Sequence, residues 1–458
     1  MSQNKKSCSR FAVFLFQCKQ TGKMWLHTRL KKPIASMLVW IGIIFRAFGS
    51  KTRGLDFVLK GRRVAEVKSA HSVIRKIIHN DKAVEEFAPL SPKKPKRSIE
   101  IYQKRILILK IPTIKDNEVV EKGALIIKFT EVFIPLFNAL NLRQLTKYFR
   151  VILEPSWVGY ALPEILLWSS IGKEKVIVFS PYADDFNLLS ACASNLTPIT
   201  IGPADWVDTS KFYVMPEQEK VYDSIYMANF NPIKRVERYI RAVHRISKKQ
   251  PNYKAALILA GHGQAKEDVL ATLDCYNQNS AIDVFQSLPA TSINEIFNKS
   301  KVNILVSLRE GANKGLAEGF FANTPALLMR ESAGGNYLHI NEKSGRIYDD
   351  ADLEEGLLWF SQHYADFSAR EWAMSHISPS ESSKKLSAHL KEIELSEGRQ
   401  WTEDLFVKVN RPELLYLHPK NNWLLEKREA FLMLFSQTDN EQAIIDFINE
   451  LSATMKAV

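Results

Sequence analysis

VNILVSLREGANKGLAEGFFANTPALL, residues Val302 to Leu328, passes through three kinds of local structure in 27 residues. Val302 to Val306 is a short apolar run with the length and β-branched content of a buried parallel strand. Ser307 to Asn313 is turn-like and holds Glu310 and Gly311. Lys314 to Ala322 reads as a helix, with Leu316, Phe320 and Phe321 able to face a sheet. Asn323 can close that helix in the left-handed conformation, and Pro325 bars its continuation. Thr324 to Leu328 then starts the next strand. The unit is strand, turn, helix, strand, which belongs to an open α/β sheet.

Glu310 lies at the strand end and Glu318 two turns along the helix. Eight residues at helical rise place the two roughly 12 Å apart along the axis. That is about the reach of a nucleotide diphosphate-sugar from sugar ring to ribose, and carboxylates accept hydrogen bonds from hydroxyls at both ends. Between them the helix N-terminus, near Asn313 and Lys314, offers free N–H groups and a partial positive charge that suit a pyrophosphate. Two glutamates at this spacing also arise by chance as solvated helix residues, so the pair by itself is weak.

The alternation extends both ways. Toward the N-terminus, Ser224–Ala228, Ala255–Leu259 and Ala281–Phe285 read as strands, with helices around 236–246, 265–273 and 293–298 between them. Such alternation predicts a doubly wound parallel sheet with its ligand crevice at the strand C-termini. Lys234 follows the first of these strands and can reach a diphosphate as a point charge, with Arg235 beside it. Further upstream, Ile106–Ile111, Ala124–Lys128, Phe149–Leu153, Val176–Phe179 and Pro198–Ile201 are strand candidates. Glu154 ends one of them and Asp184 and Asp185 follow another. All three are candidates for binding acceptor hydroxyls, against the plainer reading of caps and turns.

These pieces together resemble glycosyltransferase family 4, a retaining group with the GT-B fold. Ser307, Glu310-Gly311, Glu318 and Thr324-Pro325 match its signature. Tyr226-Met227-Ala228-Asn229-Phe230 followed by Lys234 is similar to its strand leading to a phosphate-binding Lys, although Asn229 stands where the family carries an Arg. Ala256 to Gly263 (ALILAGHG) resembles a strand ending in a Gly-x-Gly turn, here with His262 in the middle. Val207-Asp208-Thr209 with Phe212, and Gly334-Gly335 with Gly345, fit in order. The resemblance implies α/β architecture of the GT-B type, two Rossmann-like doubly wound parallel-sheet domains facing a cleft. It implies that Glu310 binds the donor sugar near the reacting carbon, Lys234 meets the diphosphate, and Glu318 binds the ribose. Arg235, Gly311, Asn313, Lys314 and Gly263 would complete the donor site. The donor would be a nucleotide diphosphate-sugar, with no cofactor and no metal, and the acceptor a hydroxyl.

Charge is unevenly distributed. The chain carries a net +12, yet the first hundred residues hold 22 Lys and Arg against 6 Asp and Glu, which leaves the remainder mildly acidic. Nucleic-acid binding by the whole protein is not indicated. Within the basic region, Ile34 to Phe45 (IASMLVWIGIIF) is apolar and uncharged. As a helix it spans about 18 Å, too short for a ~30 Å hydrocarbon core. Basic flanks at Arg29, Lys31, Lys32, Lys51 and Arg53, with Trp40 inside, suit a helix lying on an anionic membrane surface, where a lipid-linked acceptor would be met. A buried helix is the competing reading, and a signal peptide a weaker one. Four scattered cysteines carry no metal-ligand spacing and suit a reducing, cytoplasmic compartment.

The expected organisation is a basic helical extension and linker over 1–98, an acceptor domain over 99–213, a donor domain over 214–379, and a helical tail over 380–458 that returns to the acceptor domain. The expected activity is sugar transfer in surface polysaccharide or glycolipid assembly. A non-catalytic GT-B scaffold is the alternative. A Rossmann dehydrogenase is disfavoured because no Gly-x-Gly-x-x-Gly follows the first strand of either half.

Overall fold

The protein is described by a computed structural model over residues 10–92, 98–261, 263–410, 413–436 and 440–457. The chain divides into two compact units, each discontinuous in sequence: Lys32–Asp208 with Ile377–Val458, and Met1–Lys31 with Thr209–His376. The stretch expected as an N-terminal extension is thus shared between the units. Part of the expected linker, residues 93–97, lies outside the described residues, as does His262.

The unit that holds Lys32–Asp208 is built on a five-stranded sheet. Its strands are β1 (Ile106–Lys110), β4 (Gly123–Lys128), β5 (Phe149–Glu154), β6 (Val176–Phe179) and β7 (Leu196–Ile199), in that spatial order. A separate hairpin joins the first two, from β2 (Thr113–Lys115) to β3 (Glu118–Glu121). The sheet departs from the all-parallel expectation at one edge: β1 pairs antiparallel with β4, whereas β4, β5, β6 and β7 pair in parallel. The cause is the connection. Twelve residues with no crossover helix separate β1 from β4, and a parallel return needs a helix-length crossover.

β1, β4, β5 and β6 are buried along their whole length, as near-continuous apolar runs covered on both faces must be. Helix Pro379–Ser396 packs here through Leu386, Leu390 and Ile393, which share the core with β5 residues Val151 and Ile152. Arg150, 2% exposed, clamps that helix by donating from Nε and Nη2 to Glu394 Oε1 at 3.0 and 2.6 Å.

Helix Lys31–Ala47 contains the apolar Ile34–Phe45 stretch, buried on one side and exposed on the other. Ala35, Val39 and Gly42 are buried against helix Lys51–Val64. The approach is so close that a Cβ on Gly42 would lie 2.5 Å from the Gly54 carbonyl oxygen, and one on Gly61 2.7 Å from that of Ala35. On the opposite side Met37, Trp40 and Ile44, continued by Phe48, are exposed. Among the described residues, no helix is long and apolar enough to cross a membrane.

The second unit carries six strands, all parallel: β8 (Ser224–Ala228), β9 (Ala255–Leu259), β10 (Ile282–Gln286), β11 (Asn303–Leu305), β12 (Ala326–Met329) and β13 (Gly345–Tyr348). Their order is β10-β9-β8-β11-β12-β13. The chain starts at the centre, winds outward one way and then the other, so the order reverses between β8 and β11 and opens a crevice at their C-terminal ends. The opening stretch folds as expected: β11, then helix Lys314–Phe321, then Asn323 at φ +57°, then β12. Helix Arg10–Trp25 belongs to this unit, where Gln17 donates to the Tyr276 hydroxyl at 3.1 Å. Among the described residues Cys18, exposed, and Cys192, buried, are free thiols.

Candidate active site

The loops after β8 and β11 meet at the reversal point of the second sheet. After β8, Asn231 caps a short 3-10 turn by accepting from the Ile233 N–H at 3.1 Å. Arg235 then turns the chain at φ +52° into helix Val236–Lys249. After β11, Leu308 N–H donates to the Ile233 carbonyl at 2.9 Å, which ties the two loops backbone to backbone. The Tyr226 hydroxyl reinforces the tie, donating to the Lys234 carbonyl at 2.5 Å and lying 3.2 Å from Ser307 Oγ.

On this frame Lys234 Nζ sits 2.6 and 2.8 Å from the two oxygens of Glu310. Both side chains are largely buried, so the pair is held in a low-dielectric setting where its attraction is strong and its geometry well defined. Glu310 is fixed from behind. Its N–H donates to the Ala333 carbonyl at 2.8 Å, and Gly335 N–H to the Gly311 carbonyl at 3.1 Å. Gly334 permits this approach, since a Cβ there would lie 2.4 Å from the Glu310 carbonyl oxygen.

Helix Lys314–Phe321 begins immediately beyond. Asn313 is its cap and accepts from Leu316 N–H at 3.1 Å, while its own N–H donates to Asn336 Oδ1 at 2.9 Å. Gly315 lets the first turn press on β8: a Cβ there would meet Met227 Cε at 2.3 Å. Lys314 remains partly exposed at the helix start, 4.0 Å from Glu318. Burial pushes the Glu318 carboxyl above the usual glutamate range, and Lys314 only partly opposes the rise. A buried acid next to an open helix start is suited to accept from a ligand hydroxyl that replaces its lost water.

Gly263 closes the site from the β9 side. A Cβ on it would fall 2.3 Å from the Phe230 carbonyl carbon, so only glycine fits. Gly261 supplies the turn at φ +75°. The structure therefore brings Lys234, Glu310, Gly311, Asn313, Lys314, Glu318 and Gly263 onto one crevice. Asn336 was missed by the sequence reading, although its place directly after Gly334-Gly335 is a turn signal.

Arg235 does not join this set. Its guanidinium donates to the Val306 carbonyl at 3.3 Å and pairs with Asp350 at 2.7 Å, buried on the other side of the turn. The left-handed backbone that turns the chain also swings this side chain inward.

In the other unit, Glu154 and Asp185 are corrected from acceptor ligands to structural groups. Glu154 is fully buried, accepting from Lys408 Nζ at 2.8 Å and Asn410 Nδ2 at 2.7 Å, with Lys128 at 3.7 Å. Burial would raise its carboxyl, but the two lysines outweigh that and hold it below the usual range. Burial pushes Lys408, stacked 4.0 Å over the Trp206 ring, down to about 7. Asp185 is likewise buried and accepts from the N–H groups of Gly159 and Tyr160, both at 2.7 Å. Asp184 is partly exposed and accepts from the Tyr182 hydroxyl at 3.1 Å, so of the three it alone keeps a face to solvent. Among the described residues no cluster of three His, Cys, Asp or Glu is placed to hold a metal ion.

Residues 209–362 match the model of the family described as glycosyl transferases group 1. No curated protein matches the chain. Among solved structures it is similar to TarM of S. aureus, with 16% identity and a TM-score of 0.46 over 58% of this chain and 53% of that one. It is also similar to sucrose-phosphate synthase from Thermosynechococcus elongatus, with 14% identity and a TM-score of 0.46 over 59% of this chain and 73% of that one. A third is HepE of Anabaena in complex with UDP-glucose, at 9% identity and TM-score 0.44, covering 58% and 78%. The match to TarM thus spans about half of that protein's length.

Proposed function

We propose that this chain is a retaining glycosyltransferase of the family 4 type, moving a sugar from a nucleotide diphosphate-sugar to a hydroxyl acceptor. The observation that carries this reading is the Lys234–Glu310 pair at the sheet's reversal point, beside a capped helix start, within the segment that matches the family model.

Each part has a chemical task. Lys234 and Lys314, with the positive end of the dipole of helix Lys314–Phe321, stabilise charge developing on the departing diphosphate. Glu310 accepts from sugar hydroxyls near the anomeric carbon, and Glu318 accepts from the ribose. The acceptor oxygen bonds to the anomeric carbon on the face that the diphosphate leaves, and its proton passes to the diphosphate oxygen. No enzyme nucleophile and no cofactor is called for. A second reading, a non-catalytic scaffold, is favoured by Asn229, whose Oδ1 is engaged in a local turn by Asn231 N–H at 3.0 Å where an Arg would reach phosphate.

Hydrolysis of UDP-, GDP- and ADP-sugars by the purified protein, beside Glu310→Ala, separates the two. Slow hydrolysis of one donor that the substitution abolishes supports the enzyme. Binding without turnover, even with lipid-linked acceptors supplied, supports the scaffold.

We also propose that the protein works at the cytoplasmic face of a membrane, in glycolipid or surface polysaccharide assembly. Met37, Trp40, Ile44 and Phe48 form an exposed apolar face, with Lys32, Lys51 and Arg53 exposed near its ends. Apolar side chains flanked by cations fit an anionic interface. Co-flotation with phosphatidylglycerol vesicles, weaker with phosphatidylcholine alone and lost in Trp40→Ser/Phe48→Ser, is the expected result. Equal behaviour of the double variant would sink the idea.

A further inference from the structure

A second polar cavity lies in the unit that carries the candidate active site, under helix Arg10–Trp25. It has a volume of about 230 Å³ and is walled by Gln20 and Thr21 of that helix, by Arg235, and by Glu237, Arg241 and Arg245 along one side of helix Val236–Lys249. Its chemistry is unusual in what it leaves unused. Gln20 is 2% exposed, yet neither atom of its amide has a hydrogen-bond partner. Arg235 Nε, Arg241 Nε and Glu237 Oε1 are also buried and unpartnered. Buried donors and acceptors left unmet cost free energy, and five around one cavity are more than an ordinary interior tolerates.

The remaining cations are accounted for. Arg238 Nη1 and Arg245 Nη1 are held by Glu354 at 2.7 and 2.8 Å, and Arg235 Nη1 by Asp350 at 2.7 Å. The cavity wall thus carries more positive than negative charge, with N–H groups still free to donate. The cavity exceeds what one water molecule needs. Thr21 and Arg245 are exposed, which gives it a mouth to solvent.

We infer that this cavity is a binding site for a phosphate group, either inorganic phosphate or a small phosphomonoester, clamped between helix Arg10–Trp25 and helix Val236–Lys249. Arg235 Nε–H, Arg241 Nε–H and the Gln20 amide N–H donate to its oxygens. A phosphate that retains one proton can in turn donate to Gln20 Oε1, which a fully deprotonated oxyanion cannot do. Burial raises the Glu237 carboxyl, with Arg235 and Arg241 opposing, which lessens its repulsion of an anion. The site is distinct from the crevice of Lys234 and Glu310 and does not depend on how that crevice is used. Its occupancy fastens helix Arg10–Trp25 to the unit through Gln20, beside the existing bond from Gln17 to Tyr276.

The test is titration of the full chain with inorganic phosphate and, separately, glycerol 3-phosphate, at constant ionic strength against chloride. Calorimetry gives affinity, and amide hydrogen exchange reports residues 10–25. The expected result is saturable binding that slows exchange in that helix and weakens at least tenfold in Arg241→Met and in Gln20→Leu. Lys314→Met, at the other crevice, should leave it unchanged. Tighter binding of glycerol 3-phosphate would assign an ester, and equal or weaker binding would assign the free ion. The inference is overturned if phosphate acts no differently from chloride, or if Lys314→Met and not Arg241→Met weakens binding. Unchanged affinity in both cavity variants, each still folded by circular dichroism, overturns it as well.

Discussion

Lys234 Nζ bridges both carboxylate oxygens of Glu310, across 76 positions of sequence, at 2.6 and 2.8 Å. Each group is thereby held in place before any ligand arrives. Preorganisation of this kind is what an electrostatic site needs, because the cost of orienting the charges is met in folding. It also means that the two residues cannot be altered independently.

Lys234→Met should remove charge from the site and leave Glu310 as a buried, unpaired carboxylate. We expect a stability loss of about 3 kcal/mol, read from urea denaturation. Glu310→Gln should cost less stability, because a neutral amide remains able to hydrogen-bond. Donor hydrolysis should nonetheless fall about a hundredfold or more. Equal stability losses in the two variants would contradict the asymmetry.

Glu318 gives a pH signature. Its carboxyl is raised in the folded protein by burial, with Lys314 opposing, so between the unfolded and folded values the native state holds more protons. Stability therefore falls as pH rises through that window, starting from the ordinary glutamate value. Glu318→Gln should abolish this component and make the protein more stable at neutral pH. The same change should weaken nucleotide binding. Chemical denaturation at a series of pH values, wild type beside variant, reads the difference.

Gly263→Ala would put a methyl group 2.3 Å from the Phe230 carbonyl carbon. The obstacle is backbone rather than a flexible side chain, so the loop after β8 must move. We expect a loss of about 1–3 kcal/mol and weaker donor binding by calorimetry. Gly172→Ala is the contrast. That glycine has φ +83° but open space around it, so its variant should carry only a backbone cost and leave donor binding intact.

Glu154→Ala should act on folding rather than on acceptor affinity. Removing it leaves Lys408 buried with its carboxylate partner gone and, among the described residues, Asn410 as its remaining hydrogen-bond partner, which should destabilise by about 3–5 kcal/mol. Acceptor KM at a temperature where the variant stays folded should not move. A selective rise in KM with unchanged stability would restore the acceptor role that the structure argues against.

Local features were legible in the sequence, and remote ones were not. Asn323 could be read as a left-handed helix stop because its meaning depends on neighbours two or three residues away. Strands β8, β9, β11 and β12 were legible as apolar runs between helices, whereas β13, Gly345–Tyr348, was not read as a strand because Gly345 and Arg346 break its apolar run. Glu154 was misread because Lys408 and Asn410, the groups that engage it, lie 254 and 256 positions downstream. Arg235 was misread because adjacency to Lys234 says nothing of side-chain direction once the backbone turns left-handed. The β2–β3 hairpin was missed although Asp116 and Asn117, at φ +53° and +64°, are residues that favour such a turn. Its strands are too short to show a period.

The buried clamp from Arg150 to Glu394 spans 244 positions, and this has a consequence during synthesis. At about 5–20 residues per second, Arg150 leaves the ribosome roughly 12–50 s before its partner exists. For that interval the central strand β5 presents a cation and, four residues on, an acid to a core that cannot yet accept either. The first sheet is therefore the earlier to be made and the later to be completed. A nascent chain stalled short of helix Pro379–Ser396 should be a chaperone client, whereas one that has passed Asn410 should not.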